Sequence, residues 1–277
     1  MSDPISTVLI AASVGGAAGK FTELAIQQSK EWVDVYFNKH RPTAIQKAQQ
    51  NTSDFLIELS NRVTQLESKG AELKDVLEDP EFSSALQKAV IASSETENKE
   101  KHQLLAEVLA NRLKSETESR QALLAKMSLN IIPFLTSEQI TLLKILAMFH
   151  HIHPINITEC IQYEAWIKHT YFPYLDTKVD DQDIFYLESL ACLKTEDPKL
   201  KFQNFPNNDP QFFRDKIKEK KTSIDLDPKF YQTPEFHKLE KLWVEHLKVA
   251  KLTSVGLFIA ANTLNLEERS PIPLTIF

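Results

Sequence analysis

Residues 43–70 read TAIQKAQQNTSDFLIELSNRVTQLESKG. Apolar and small side chains recur in this stretch at intervals of three and four residues, which places them on one face of a helix. Glycine commonly follows the last turn of a helix, so we predict a helix from Thr43 to Lys69 that ends at Gly70. Such spacing occurs in coiled coils between chains and in internal seams of helical bundles, and we expect the internal seam here.

A second helical pattern precedes this one and ends at Arg41-Pro42. Two long helices joined by about five residues form an antiparallel hairpin. Within the first helix, Trp32 and Tyr36 are predicted to form an apolar contact face. They belong to a stripe of residues with helical spacing, which comprises Phe21, Leu24, Ala25, Gln28, Trp32, Val35 and Tyr36.

The rest of the chain also favours helices. Asp79-Pro80 is a helix start, and Thr136-Ser137-Glu138-Gln139 is a capping box that opens a helix through Phe149. Thr233-Pro234 and Thr253 or Ser254 are predicted to begin two later helices. The remaining predicted helices span residues 71–77, 98–115, 118–135, 158–169, 181–193 and 235–249, and residues 271–277 are predicted as an edge strand. In 118–135 the predicted core face carries Leu123, Leu124, Met127, Ile131 and Phe134.

Composition agrees with a helical protein. The chain has 277 residues but only five glycines, fewer than a β-sandwich or a phosphate-binding loop usually needs. Its length fits two domains. We therefore predict a mainly α fold with a multi-helix domain over residues 1–135 and a second domain over residues 136–277.

The charge balance disfavours nucleic acid as a partner. The net charge is -6, so no positive field surrounds the whole protein. One basic run follows Phe212 and Phe213, and we expect a solvated helix face there, with nucleic-acid binding as the alternative. Its basic residues are Arg214, Lys216, Lys218, Lys220 and Lys221.

The sequence carries no recognisable catalytic, metal or cofactor motif. Cys160 and Cys192 form no C-x-x-C pair, and the histidines at 150, 151 and 153 lack the spacing of a zinc site. Asp180, Asp181 and Asp183 open a predicted helix, where negative charge is favourable without any chemistry. We assign no cofactor and no catalytic residue, and a toxin-type enzyme of unknown chemistry stays open as a third hypothesis.

The opening segment is the most unusual part of the sequence. Residues 4–19 contain no charged side chain but are shorter than the roughly 20 apolar residues that cross a bilayer. Gly15, Gly16 and Gly19 give it small residues at helical spacing, which lets another helix approach closely. We predict self-association or contact with a membrane surface, and a loop or small-residue contact within the protein's own core is the alternative. Without a basic segment before the apolar start, no signal peptide is expected, so the predicted compartment is the cytoplasm, with peripheral contact at the inner membrane left open.

Three stretches carry a resemblance to a known family. They are Leu104–Ala110, then Ile132–Gln139 with Leu142–Leu146, and Leu252-Thr253-x-x-Gly256-x-x-Ile259-Ala260. In this order they resemble the Abi-alpha class of bacterial proteins, a group linked by name to abortive phage infection. The resemblance covers residues 75–265 with a variable insert near 195–232.

The resemblance implies a degenerate winged helix in the second half. In that arrangement Leu187-x-x-Leu190-x-Cys192-Leu193 would end the third helix, and Leu252-Thr253 would return from the wing. Cys192 stands where many winged helices have glycine. The family supplies no agreed catalytic residues, so the sequence favours a non-enzymatic defence or stress protein whose partner is a second copy or another protein. A nucleic-acid-binding regulator that uses the winged-helix-like half is the alternative.

Overall fold

The structure is a computed structural model that describes residues 17–70, 79–152, 159–195 and 226–266. The described residues are mainly helical and contain a single two-stranded sheet. The chain divides into two compact units at the boundary between Leu135 and Thr136. The predicted segments at 1–16, 71–77, 212–221 and 271–277 lie outside the described residues.

The described residues of the first unit form five α-helices and a 3₁₀ turn. The helices are α1 (Ala17–Phe37), α2 (Pro42–Ser68), α3 (Pro80–Ser94), α4 (Lys99–Leu113) and α5 (Arg120–Ile131), and the 3₁₀ turn covers Ile132–Phe134. The long helix predicted at 43–69 is confirmed as α2, and Gly70 follows it with a φ of 82°.

Helices α1 and α2 form the predicted antiparallel hairpin. Thr22 Oγ1 donates to Ser60 Oγ at 3.4 Å, and Gln49 Nε2 donates to Asp34 Oδ1 at 3.3 Å. The pair nearer the connection at residues 38–41 joins Asp34 to Gln49, and the pair farther from it joins Thr22 to Ser60, so the two helices run in opposite directions. The buried face of α2 packs on α1, α3 and α4, so the spacing in this helix marks an internal seam. Its buried apolar residues are Ala48, Phe55, Leu56, Leu59 and Val63.

The stripe predicted on α1 divides between two faces. Phe21 and Ala25 are buried, but Leu24, Val35 and Tyr36 are exposed. The residues that pack inward instead follow one another at intervals of four, because α1 lies against both α2 and α3. They comprise Phe21, Ala25, Ser29, Val33 and Phe37, with Thr22 and Ile26 beside them.

The predicted core face of α5 is wrong. Leu123, Met127 and Phe134 are exposed by 52%, 46% and 63%, whereas the buried positions of the helix are mostly small. Small side chains at the buried positions let α5 approach α3 and α4 closely, so its larger residues are left outside. The buried positions are Ala122, Ala125, Ser128 and Leu129.

The second unit begins with α6 (Ser137–His151), whose predicted capping box is confirmed. Thr136 Oγ1 accepts from the Gln139 N–H at 3.2 Å, and Gln139 Oε1 accepts from the Thr136 N–H at 3.0 Å. Residues 140–149 of this helix are buried apart from Thr141. Helix α6 is therefore the centre of the second unit.

The remaining elements of the second unit surround α6. They are α7 (Cys160–Tyr171), a 3₁₀ turn (Phe172–Tyr174), α8 (Asp181–Ser189), β1 (Leu193–Thr195), a 3₁₀ turn (Phe230–Gln232), α9 (Pro234–Leu242), a π-helical turn (Trp243–Leu247), β2 (Ala250–Leu252) and α10 (Ser254–Leu266). Strands β1 and β2 are antiparallel, with Leu193 opposite Leu252. The helix predicted at 181–193 ends earlier because the chain enters β1, and the one predicted at 235–249 changes to a π turn after Leu242.

A left-handed residue separates α8 from β1. Ala191 has a φ of 57°, its N–H donates to Glu188 O, and the Cys192 N–H donates to Leu187 O, which is a Schellman helix end. Glycine is the usual residue at this left-handed position, which is occupied here by Ala191. The position that favours glycine is therefore residue 191 and not residue 192, where the sequence comparison placed it.

The Leu252-Thr253-x-x-Gly256 motif joins this turn to α10. Thr253 Oγ1 donates to the carbonyl of Ala191 at 2.6 Å and accepts from the Gly256 N–H at 3.2 Å, which makes Thr253 the N-cap of α10. The Thr253 N–H donates to Cys192 O at 3.0 Å. Gly256 packs so closely on the Cys192 carbonyl group that no side chain fits between them. The motif therefore has a structural role.

Candidate interaction surface

The outer face of α1 carries the large apolar side chains that this helix leaves exposed. Leu24 and Tyr36 are each 49% exposed, Val35 is 72% exposed, and Trp32 is half-buried. At 100° per residue these four positions fall within about 120° of arc, but the buried residues Phe21 and Ala25 share that arc in the first half of α1. The apolar side chains that reach solvent therefore concentrate at Trp32, Val35 and Tyr36. We call these four residues the α1 stripe.

The aromatic end of the α1 stripe is held in place. Tyr36 Oη donates to Glu95 Oε1 at 2.7 Å, and this hydrogen bond raises the pKa of Tyr36. The Tyr36 ring meets the ring of Phe37 edge-on at 5.0 Å, and Phe37 is buried. Because its position is fixed before any partner arrives, Tyr36 loses little rotamer freedom on binding.

The structure brings Trp32 and Tyr36 together but separates them from Gly19. Gly19 is half-buried in the first turn of α1. It lies about 20 Å from Trp32 along the axis and is rotated by about 140° around it. Gly19 therefore does not belong to the α1 stripe, and Gly15 and Gly16 lie outside the described residues.

Sequence reasoning missed four further exposed apolar positions, and Ile57 on α2 and Tyr186 on α8 are the two less exposed of them. Ile161 on α7 is 71% exposed and Phe185 on α8 is 64% exposed. A lone exposed aliphatic residue is common and has no distinguishing signal in a sequence. Phe185, in contrast, follows Asp180-Asp181-x-Asp183 within a single short helix, and this juxtaposition of acids and an aromatic residue is visible in the sequence.

A cleft of about 430 Å³ opens on the second unit between the 175–183 segment and the 238–246 segment. Two polar contacts cross between these segments: Lys238 Nζ pairs with Asp176 Oδ1 at 2.9 Å, and His246 Nδ1 lies within hydrogen-bond distance of Asp181 Oδ1, at 3.2 Å. Its volume suits a small ligand. Its charged side chains, however, largely neutralise one another, and no cysteine or serine faces into it.

The aspartates at the start of α8 have the role predicted for them. Asp180 Oδ1 accepts from the Asp183 N–H at 2.9 Å, and Asp183 Oδ2 accepts from the Asp180 N–H at 3.3 Å. Asp183 Oδ1 also accepts from Gln139 Nε2 at 3.0 Å. These contacts cap the helix and fix it to α6.

The pKa values that depart most from their usual range belong to the core of the second unit. Burial raises the pKa of the Cys192 thiol to about 12 and raises the pKa values of Tyr163 and Tyr171. Tyr171 stacks on Phe149 at 4.5 Å and its hydroxyl donates to Met148 O. These shifts report desolvation of packed side chains and keep the groups neutral.

In the part of the chain that the structure describes, no three histidine, cysteine or acidic side chains form a metal-binding group. His150 and His151 meet edge-on at 6.4 Å, and His150 lies 5.8 Å from the ring of Trp243. None of the helices in the described ranges combines the length and apolar content needed to cross a membrane.

The comparisons with known proteins give a family but no activity. No curated protein and no solved structure matches the chain. One protein-family model matches residues 19–232, from the first turn of α1 to the 3₁₀ turn before α9. This match covers more than three quarters of the chain, and the protein therefore belongs to the family that the model describes.

Proposed function

We propose that the protein is a non-enzymatic interaction protein that acts through helix-mediated self-association. The observation that carries the proposal is the α1 stripe, which exposes Leu24, Val35 and Tyr36 together on one helix. Aromatic residues are enriched in the buried centres of protein interfaces. The sequence resemblance adds bacterial abortive infection or phage defence as the setting.

The size of the α1 stripe predicts a weak and reversible association. Helix α1 has 21 residues. The α1 stripe runs from Leu24 to Tyr36, about 18 Å of this helix, and with a width of about 10 Å it presents on the order of 200 Å². A standard stable interface buries about 800 Å² on each partner. We therefore expect association that depends on protein concentration over the micromolar range.

Sedimentation velocity over a range of concentrations tests this proposal. Val35→Lys should lower the weight-average mass at high concentration, because a lysine buried in the interface must lose its hydration. Ile161→Lys is a matched control, since Ile161 on α7 is 71% exposed and Val35 is 72% exposed. A chain that remains monomeric throughout would contradict self-association, and equal effects of the two lysines would contradict a role for the α1 stripe.

We further propose a winged-helix-like arrangement for the second unit. The order α6, α7, α8, β1 and β2 supports it, as does the antiparallel pairing of the two strands. In a DNA-binding winged helix, α8 would be the helix that enters the groove. The carboxylates of α8 oppose phosphate, so this arrangement favours a protein partner over nucleic acid.

Retention of labelled duplex DNA at 50 mM salt separates these two functions. We expect none above the level of an unrelated acidic protein. Salt-sensitive retention that is lost on charge reversal at Lys218, Lys220 and Lys221 would instead establish the nucleic-acid-binding function.

A further inference from the structure

The outer face of α8 combines an exposed aromatic side chain with exposed polar neighbours. Phe185 is 64% exposed and Tyr186 is 41% exposed. Asp181, Gln182 and Ser189 lie three or four residues from Phe185 and are also exposed. The opposite face is anchored in the second unit by the buried residues Ile184 and Leu187. Helix α8 therefore presents Phe185 from a fixed position.

The charge of this helix has one sign. With its N-cap, α8 carries four carboxylates and no basic residue. The Asp181 side chain is 77% exposed and pairs with His246, and Glu188 Oε1 accepts from the N–H of Thr195 at 2.8 Å. The Thr195 hydrogen bonds lower the pKa of Glu188, which keeps this carboxylate ionised. The negative charges beside Phe185 are thus held in place.

Nearby cations leave most of this charge in place. Lys238 faces Asp176 at 2.9 Å, and Lys241 faces Glu245 at 4.0 Å. Of the lysines in the cleft, these two are thus directed at other carboxylates. Lys178 adds one positive charge against four carboxylates. Of these, Asp181 and Glu188 lie on the Phe185 side of α8, whereas Asp180 and Asp183 lie about 140–160° away around the helix.

We propose that the outer face of α8 binds a basic segment of a partner protein, one that presents arginine or lysine together with apolar side chains. Arginine can stack on the Phe185 ring while its guanidinium group meets a neighbouring carboxylate. Apolar side chains of the same segment would cover the rest of the ring. Nucleic acids and membrane surfaces are both anionic, and the carboxylates of α8 repel them.

Fluorescence anisotropy of a labelled peptide tests this assignment. The probe is FFRDKIKEKK, the sequence of residues 212–221, because it supplies two phenylalanines and five basic residues against two acidic ones. Titrated with the full chain, it should bind saturably, and binding should weaken severalfold between 50 and 300 mM salt as charges are screened. A peptide with glutamine at its five basic positions should bind at least fivefold more weakly.

Variants of the chain locate the site. Phe185→Ala and Asp181→Asn should each weaken the peptide at least fivefold, with circular dichroism unchanged because both side chains are exposed. Val35→Lys on α1 should leave peptide binding unchanged, which separates this site from the proposed self-association. Absence of saturable binding, or equal binding by Phe185→Ala and the original chain, would overturn the assignment.

Two other outcomes would assign the face to a different occupant. If the peptide dissociates an oligomer and Phe185→Ala abolishes that oligomer, the occupant is a second copy. If the peptide binds only a chain whose own residues 212–221 carry glutamine in place of their cations, the occupant is that run of the same chain. Either result would overturn the proposal of a separate partner.

Discussion

Gly256 provides a sharp test of how the Leu252-Thr253-x-x-Gly256 motif works, because two explanations predict opposite signs for Gly256→Ala. Helix propensity alone predicts that alanine stabilises α10 by about 1 kcal/mol. The packing predicts the reverse, since an added Cβ would lie 2.8 Å from the carbonyl carbon of Cys192 and 3.1 Å from its Cα. Ordinary contacts between carbon atoms are about 3.5–4.0 Å, so the helix and the turn would have to separate by roughly 1 Å.

Moving α10 away from the turn at Cys192 would weaken the hydrogen bonds beside Gly256. The Thr253 N–H donates to the Cys192 carbonyl at 3.0 Å, and one residue earlier Leu252 pairs with Leu193 in the sheet. Overpacking costs about 1–3 kcal/mol, and a weakened hydrogen bond adds about 0.5–1.5 kcal/mol. After subtracting the helix-propensity gain, we expect a net loss of about 1–3 kcal/mol.

Thermal unfolding followed by circular dichroism measures this loss. For a protein of this size each kcal/mol lowers Tm by roughly 2–4 °C, so Gly256→Ala should melt about 2–12 °C below the original protein. Gly70→Ala shows the effect of backbone strain without overlap, since an added Cβ there meets no atom within 4 Å and only the φ of 82° opposes it, and it should cost about 1 kcal/mol. A Gly256→Ala variant that melts at or above the original Tm would refute the close-packing explanation.

Three further outcomes follow from the same region and from the cysteines. Ala191→Gly should stabilise the protein by about 1 kcal/mol, measured by chemical denaturation, because glycine adopts the left-handed φ of 57° without strain. At pH 8 a thiol reagent should modify Cys160 in the native protein and both cysteines in denaturant, since Cys192 is fully buried with its pKa raised to about 12; rapid native modification of two thiols would contradict this burial. The N–H and hydroxyl of Thr195 lower the pKa of Glu188 in the folded protein. These hydrogen bonds therefore add to the free energy of unfolding above the pKa of Glu188 in the unfolded chain, and this addition is lost as the pH falls through the lower pKa of the folded protein. Thr195→Val should therefore reduce stability at neutral pH and by less at pH 3, in paired denaturation curves.

Local signals in the sequence predicted the helix starts well. The Thr136 capping box, the Asp79-Pro80 start and the Thr233-Pro234 start are all confirmed by side-chain oxygens that accept from backbone N–H groups. A cap depends on only four or five consecutive residues, so neighbouring residues suffice to predict it. Helix α2 could also be predicted from its own residues, because its apolar spacing continues over seven turns.

Faces of helices were harder to predict because periodicity does not state which side is covered. On α5 the wider apolar face, with Leu123 and Met127, is exposed, and the inner face is made of Ala122 and Ala125. A helix that packs closely on two neighbours uses its small residues, and this choice depends on tertiary contacts that no local window contains. The seven-residue stripe predicted from Phe21 to Tyr36 on α1 is divided between two faces for the same reason.

The two proposed surfaces, the α1 stripe and the outer face of α8, differ in chemistry. The exposed positions Leu24 and Val35 on α1 are aliphatic, whereas Phe185 on α8 lies beside fixed carboxylates. An apolar stripe can match a second copy of itself across a two-fold axis, because identical apolar surfaces do not repel. Asp181 and Glu188 on the Phe185 side of α8 would repel the same pair of a second copy, so the proposed α8 face favours a partner of opposite charge. The two proposed surfaces thus call for different occupants, and Val35→Lys and Phe185→Ala test them separately.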